Sequence, residues 1–246
     1  MDKKRYYLID TLRGLALILM VVYHTLWDLS WMFGKAPAWF TPTADYVMQR
    51  TTALLFLSIS GFSFGLGRRH LKSALRTLAS GVTVAVATYI FMPRAAAYFG
   101  VLVLLASCTV IMIPLRYLLD KISPYITAPL TLILFFFCEN ISDGYLGLLG
   151  LRINLPTVLY KNLLTAYFGF PHEGFASLDY FPIFPWIFLF IFGYAIYKMI
   201  SDKNRLNRLT SPRIPPLEWL GRHTLSIYLI HQPLILGALH LIYNIL

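Results

Sequence analysis

With 246 residues, 58% of them hydrophobic and 13% charged, the chain carries more apolar surface than one soluble core can bury, which excludes an ordinary water-soluble domain and predicts a multi-pass membrane protein. The net charge of +10 does not point to nucleic acid, because the Lys and Arg residues are spread over the stretches between apolar runs and are not gathered with aromatics into one patch. Two cysteines, Cys108 and Cys138, lie inside apolar runs, form neither a redox motif nor a metal site, and are expected as reduced thiols.

The predicted fold class is all-α, a transmembrane helix bundle forming a single domain over 1–246. Seven spans are expected at about residues 8–29, 45–66, 72–92, 97–117, 124–139, 181–200 and 222–244, each about the length that crosses the hydrocarbon except the shorter fifth. The basic start with Lys3 and Lys4 followed by an apolar core resembles a signal peptide, but no small-residue cleavage site follows, so a retained first span is expected.

That first span holds Asp10, Arg13, His24 and Asp28. At about 100° per residue all four fall on one helix face, a narrow polar stripe on an otherwise Leu, Ile, Val and Met surface. Ionisable groups in a bilayer cost several kcal/mol unless they face a bundle interior or water, so the stripe marks a candidate functional site. His24 and Asp28, spaced i, i+4, allow the carboxylate to orient an imidazole general base, or to form a polar pair that packs two helices. Asp10 and Arg13, spaced i, i+3, can pair at the opposite end of the span, either as an anchor or as part of a ligand site. Gly14 beside them permits close backbone approach.

In the second span Gly61 and Gly65 form a small-xxx-small pattern read as helix packing. Arg68 and Arg69 follow with Lys72 and Arg76, a basic cluster that suits a polyphosphate and also a simple topogenic role. Asn140 to Tyr180 is too long for a turn and is expected to hold one or two interfacial helices rather than an eighth span. Asp179 and Tyr180, with Pro182, Pro185 and Trp186, open the sixth span at that mouth. Ser201 to Pro216, with Pro212, Pro215 and Pro216, reads as a linker. The seventh span carries His231 in an apolar run beside Gln232, suited to a structural hydrogen bond or to a site.

With the N-terminus in the cytoplasm, 16 of the 21 Lys and Arg fall on the inner side, leaving Lys35, Arg50, Arg94, Arg152 and Lys161 outside. The positive-inside bias therefore predicts a cytoplasmic N-terminus, an external C-terminus, and His24 near the outer end of span one. No metal site is expected, since an i, i+4 His/Asp pair offers two ligands where about three or four are needed.

Asp10-Thr11-Leu12-Arg13-Gly14, Tyr23-His24 with Asp28, Ser60-Gly61-Phe62, Asp179-Tyr180-Phe181-Pro182 with Pro185-Trp186, and the block from Leu220 to Pro233 occur in that order. The ordered set resembles the membrane acyltransferases typified by the catalytic domain of heparan-alpha-glucosaminide N-acetyltransferase. One departure is Phe99-Gly100-Val101-Leu102, followed here by Val103 where members of the family often have His. The resemblance implies transfer of an acyl group, acetyl first, from cytoplasmic acetyl-CoA (an acyl-CoA co-substrate) to a hydroxyl or amine of a sugar or cell-envelope acceptor, in a bacterial plasma membrane. Within that reading the polar stripe and the nearby basic loops give His24 and Asp28 to catalysis and Arg13, Asp10, Arg68 and Arg69 to the cofactor, and Asp179, Tyr180, His231 and Gln232 are expected at the acceptor. Acyl-CoA, the acceptor and the lipid bilayer are the expected partners, with a homodimer as an open option. A proton-coupled transporter using the same stripe is the alternative from another class, and the lack of an inverted repeat argues against it.

Overall fold

The computed structural model describes residues 5–91, 96–203, 205–211 and 213–245. Lys3, Lys4, Arg94, Pro212 and the end of the third expected span at position 92 lie outside the described residues. Along the chain run α1 (Tyr7–Trp31), α2 (Pro42–Leu66), α3 (His70–Phe91), α4 (Val101–Leu119), α5 (Pro124–Phe137), strands β1 (Tyr145–Leu148) and β2 (Leu151–Asn154), α6 (Leu163–Phe168), α7 (Ile183–Asp202), α8 (Pro215–Arg222) and α9 (Thr224–His240). Each expected span has its helix, and among the described residues the fold is all-α apart from one hairpin. Six stretches among the described residues are long and apolar enough to cross a membrane: Tyr7–Trp31, His70–Phe91, Val101–Leu119, Pro124–Asp143, Ile183–Asp202 and Thr224–Tyr243. α2 is outside that set although it has 25 residues; Asp45, Gln49 and Arg50 in its first half lower its hydropathy.

Local chemistry sets several helix starts. Pro124 opens α5 and Pro215 opens α8, where a missing N–H costs nothing. Asn162 and Thr165 form a reciprocal capping box on α6. α1 has no side-chain cap, so its stability comes from its packed face rather than its ends.

The chain divides into two compact units, Met1–Ile59 with Asn204–Leu246, and Ser60–Lys203, the division falling within α2. In the first, α1 packs along α8 and also meets α9. The α1–α8 approach is backbone on backbone: a Cβ at Gly14 would coincide with the Leu217 carbonyl, and one at Gly221 with the Asp10 carbonyl. The stretch expected as a linker contains a 3₁₀ turn, Leu206–Thr210, which buries Leu209 and packs on α1.

In the second unit α3 pairs with α4 and α5 with α7, and α4 also touches α7. Gly61 lies against the Phe190 carbonyl and Gly65 against the Tyr197 ring, so the small-residue pattern seats the end of α2 on α7. Leu104, Met112, Phe135, Leu189 and Phe190 fill the core. Beyond the polar first turns of α3, many outward side chains of α3 and α5 are apolar, among them Val82, Val86, Ile126, Leu130 and Ile133, as suits helix faces against lipid.

Residues 140–180 differ from the expected interfacial helices. They hold the β1–β2 hairpin, 3₁₀ turns at Ile141–Asp143 and Thr157–Leu159, and the six-residue α6. The hairpin turns through Leu149 and Gly150, both at positive φ (50° and 89°), the two-residue turn whose twist matches the strands. Side chains tie the segment down. Tyr160 donates to the Ile141 carbonyl at 2.5 Å, Ser142 to that of Gly169 at 3.2 Å, and Ser107 on α4 bonds Tyr167 on α6.

Candidate active site

The four-residue stripe of α1 has a different set of partners at each end. At the N-terminal end Asp10 accepts from Arg5 Nε at 3.0 Å and from Arg13 Nη1 at 3.1 Å. Asp10 is 8% exposed, while about a third of the Arg13 side chain remains accessible (34%), so the carboxylate holds two guanidinium groups at the rim. α8 adds a second ion pair there. Glu218 is buried and accepts from Arg213 Nε and Nη2, both at 3.4 Å, and the Arg213 guanidinium lies 4.0 Å over the Tyr7 ring. Donating to Glu218 raises the Arg213 pKa further. Sequence reasoning does not single out Glu218. Its signal is that it is the one carboxylate after Lys203, set among Arg205, Arg208, Arg213 and Arg222.

At the other end, α1 meets α9. The rings of His24 and His231 stand with centroids 4.9 Å apart, tilted by 56°. Asp28 is fully buried, and both of its oxygens accept from Gln232 Nε2 at 3.0 Å. Spacing alone had offered Asp28 to His24; among the described hydrogen bonds the carboxylate is taken by Gln232 instead, so Asp28 positions the amide one residue beyond His231. His231 is 7% exposed, and its Nδ1 lies 2.5 Å from the Tyr228 carbonyl one turn back. A carbonyl can only accept, so Nδ1 carries the proton and Nε2 holds a lone pair. Among the described residues that Nε2 and Gln232 Oε1 are buried without a hydrogen-bond partner, whereas buried polar atoms in native folds are nearly always paired.

The remaining site candidates lie in the second unit. Arg68 and Arg69 are exposed in the turn between α2 and α3. Asp179 Oδ2 accepts from the Val101 backbone N–H at 3.1 Å and fills the space beside Gly100, capping α4. Ser177 donates to the Tyr98 carbonyl at 2.8 Å and Phe181 N–H to that of Phe99 at 3.0 Å, so the strap before α7 is laced to the start of α4. Tyr180 donates to the Ala166 carbonyl at 2.6 Å, and burial pushes its pKa up to about 12, which keeps the phenol protonated for that bond. Asp179 and Tyr180 are thus occupied in joining elements. Among the described residues no group of three His, Cys, Asp or Glu converges as metal ligands would, and Cys108 and Cys138 are separate free thiols.

Comparison with known families finds one match: the family described as heparan-alpha-glucosaminide N-acetyltransferase, catalytic, aligns with residues 5–233, nearly the whole chain. No curated protein and no solved structure matches.

Proposed function

Since the chain belongs to the heparan-alpha-glucosaminide N-acetyltransferase catalytic family, a family of membrane acyltransferases, we propose that it moves an acyl group, acetyl foremost, from a coenzyme A thioester to a hydroxyl or amine of a sugar or cell-envelope acceptor. The observation that carries this reading is the His24–His231 pair beside the Asp28–Gln232 bond. Four polar side chains converge there inside largely apolar helices, a cost that a bilayer segment bears where it performs chemistry.

In this reading the N-terminus faces the cytoplasm, and the donor enters where Arg5 and Arg13 stand on Asp10. Guanidinium groups fixed by a carboxylate suit the phosphates of coenzyme A. From Arg13 to His24 the helix rises roughly 16 Å, a span suited to an extended pantetheine arm. The thioester carbonyl then meets His24, whose ring nitrogens have no hydrogen bond among the described residues and are open to a reacting group. The plasma membrane of a bacterium is the proposed location.

The test is turnover by the purified full-length chain in lipid vesicles supplied with acetyl-labelled coenzyme A and glucosamine. Transfer of label is expected from the wild type. His24→Ala should lower kcat by at least about a hundredfold with donor binding retained, and Arg13→Gln should raise the KM for acetyl-CoA with kcat little changed. Absence of thioester turnover by the wild type, or an unimpaired His24→Ala variant, would overturn the reading.

A further inference from the structure

The two histidines are not equivalent. His231 has what an oriented base requires: a protonated Nδ1 anchored on the Tyr228 carbonyl at 2.5 Å, a buried side chain, and a lone pair on Nε2 that meets no donor among the described residues. His24 has no comparable anchor among the described residues; its contacts are ring contacts with Tyr23 at 5.2 Å and His231 at 4.9 Å. Gln232 repeats the pattern. Asp28 takes both hydrogen bonds from its amide nitrogen, which directs the amide oxygen away from the carboxylate, and that oxygen too is buried and unpartnered. Unsatisfied buried acceptors are costly, and both need a donor, not an anion or an apolar group.

We propose that His231 is the general base of the transfer, its Nε2 taking the proton of the attacking amine or hydroxyl, and that Gln232, positioned by Asp28, binds a second donor on the same acceptor through its Oε1. This rests on the acyl-transfer reading above and assigns within it which ring does which task. As the acceptor nitrogen or oxygen bonds to the carbonyl carbon, its proton passes to His231 Nε2. The C–S bond breaks, coenzyme A leaves as thiolate, and the imidazolium, still donating from Nδ1 to Tyr228, returns the proton to the sulfur. The products are the acylated acceptor and free coenzyme A thiol, with His231 restored. If the acyl group rests first on His24, the proton that His24 gives up goes to the departing thiolate, and in the second stage His231 takes the acceptor's proton and passes it to the His24 nitrogen that the acyl group leaves.

Two acceptor probes separate a base from a merely structural histidine. Glucosamine must lose a proton to attack, whereas hydroxylamine is uncharged and strongly nucleophilic at neutral pH. With the full-length protein in vesicles and labelled acetyl-CoA, His231→Ala and His231→Asn should lower kcat for glucosamine by about a hundredfold or more. They should retain most of the transfer to hydroxylamine, leave the KM for acetyl-CoA within about threefold, and regain glucosamine transfer when imidazole is added. His231→Asn retains a donor for the Tyr228 carbonyl, so it guards against a variant that fails only through misfolding. Gln232→Ala should raise the KM for glucosamine more than it lowers kcat. Equal loss with both probes, no rescue by imidazole, or unchanged transfer to glucosamine overturns the assignment of His231 while leaving acyl transfer intact. Wild-type transfer to hydroxylamine but not to glucosamine overturns the two-donor acceptor. No thioester turnover by the wild type overturns the acyl-transfer reading itself and this assignment with it.

Discussion

A methyl group at position 14 would stand where the Leu217 carbonyl is, and one at 221 where the Asp10 carbonyl is. Neither obstacle is a side chain that could rotate away, so the two helices must separate. Gly14→Ala should therefore destabilise the protein by about 1–3 kcal/mol, read as a lower Tm in detergent, despite the better helix propensity of alanine. Gly237 in α9 is the control, because a Cβ there meets nothing within 4 Å. Gly237→Ala should leave Tm unchanged or raise it. The two substitutions are chemically identical, and a similar response from both would show that the α1–α8 backbone contact contributes nothing.

Among the elements, the spanning helices were legible from sequence for a plain reason: in lipid a backbone has only helices or closed barrels to choose from, so a run of about 20 apolar residues has one outcome. The hairpin was not legible. Its turn lacks the Asn-Gly or Asp-Gly signature and puts Leu149, 99% exposed, at a φ of 50°, so Leu146 to Leu151 reads as an interfacial helix. That conformation costs a leucine about 1–2 kcal/mol, whereas asparagine occupies it readily. Leu149→Asn should then stabilise the hairpin by roughly 1 kcal/mol, seen as slower hydrogen exchange at residues 145–154, with faster exchange counting against the turn. Site legibility divides the same way. The shared face of Asp10, Arg13, His24 and Asp28 follows from periodicity, but partner choice does not: i, i+4 spacing offers Asp28 to His24, and only the fold brings up Gln232 from 204 positions away.

At the scale of the whole molecule, the order of crossings drawn from Lys and Arg can be set beside contacts of the second unit. In the second unit Asp120, between α4 and α5, meets Tyr194 and Lys198 near the end of α7 at 2.7 and 3.3 Å, all on the side assigned to the cytoplasm. The strap at 177–181 meets the start of α4, both assigned outside. Absolute orientation is a matter for labelling. In intact cells Leu149→Cys should react with a membrane-impermeant maleimide and Arg69→Cys only after permeabilisation, with the unsubstituted chain as blank; the opposite pattern would invert the topology. The bond between Asp28 and Gln232 also has a meaning for biosynthesis. A ribosome adds about 5–20 residues per second, so α1 is made on the order of 10–40 s before its amide partner. Throughout that interval a carboxylate that ends fully buried has no Gln232 to receive from, and α1 must shelter it at the membrane surface, with water, or against the insertion machinery. Completion of α9 is thus the step that supplies the amide to which both Asp28 oxygens bond in the folded chain.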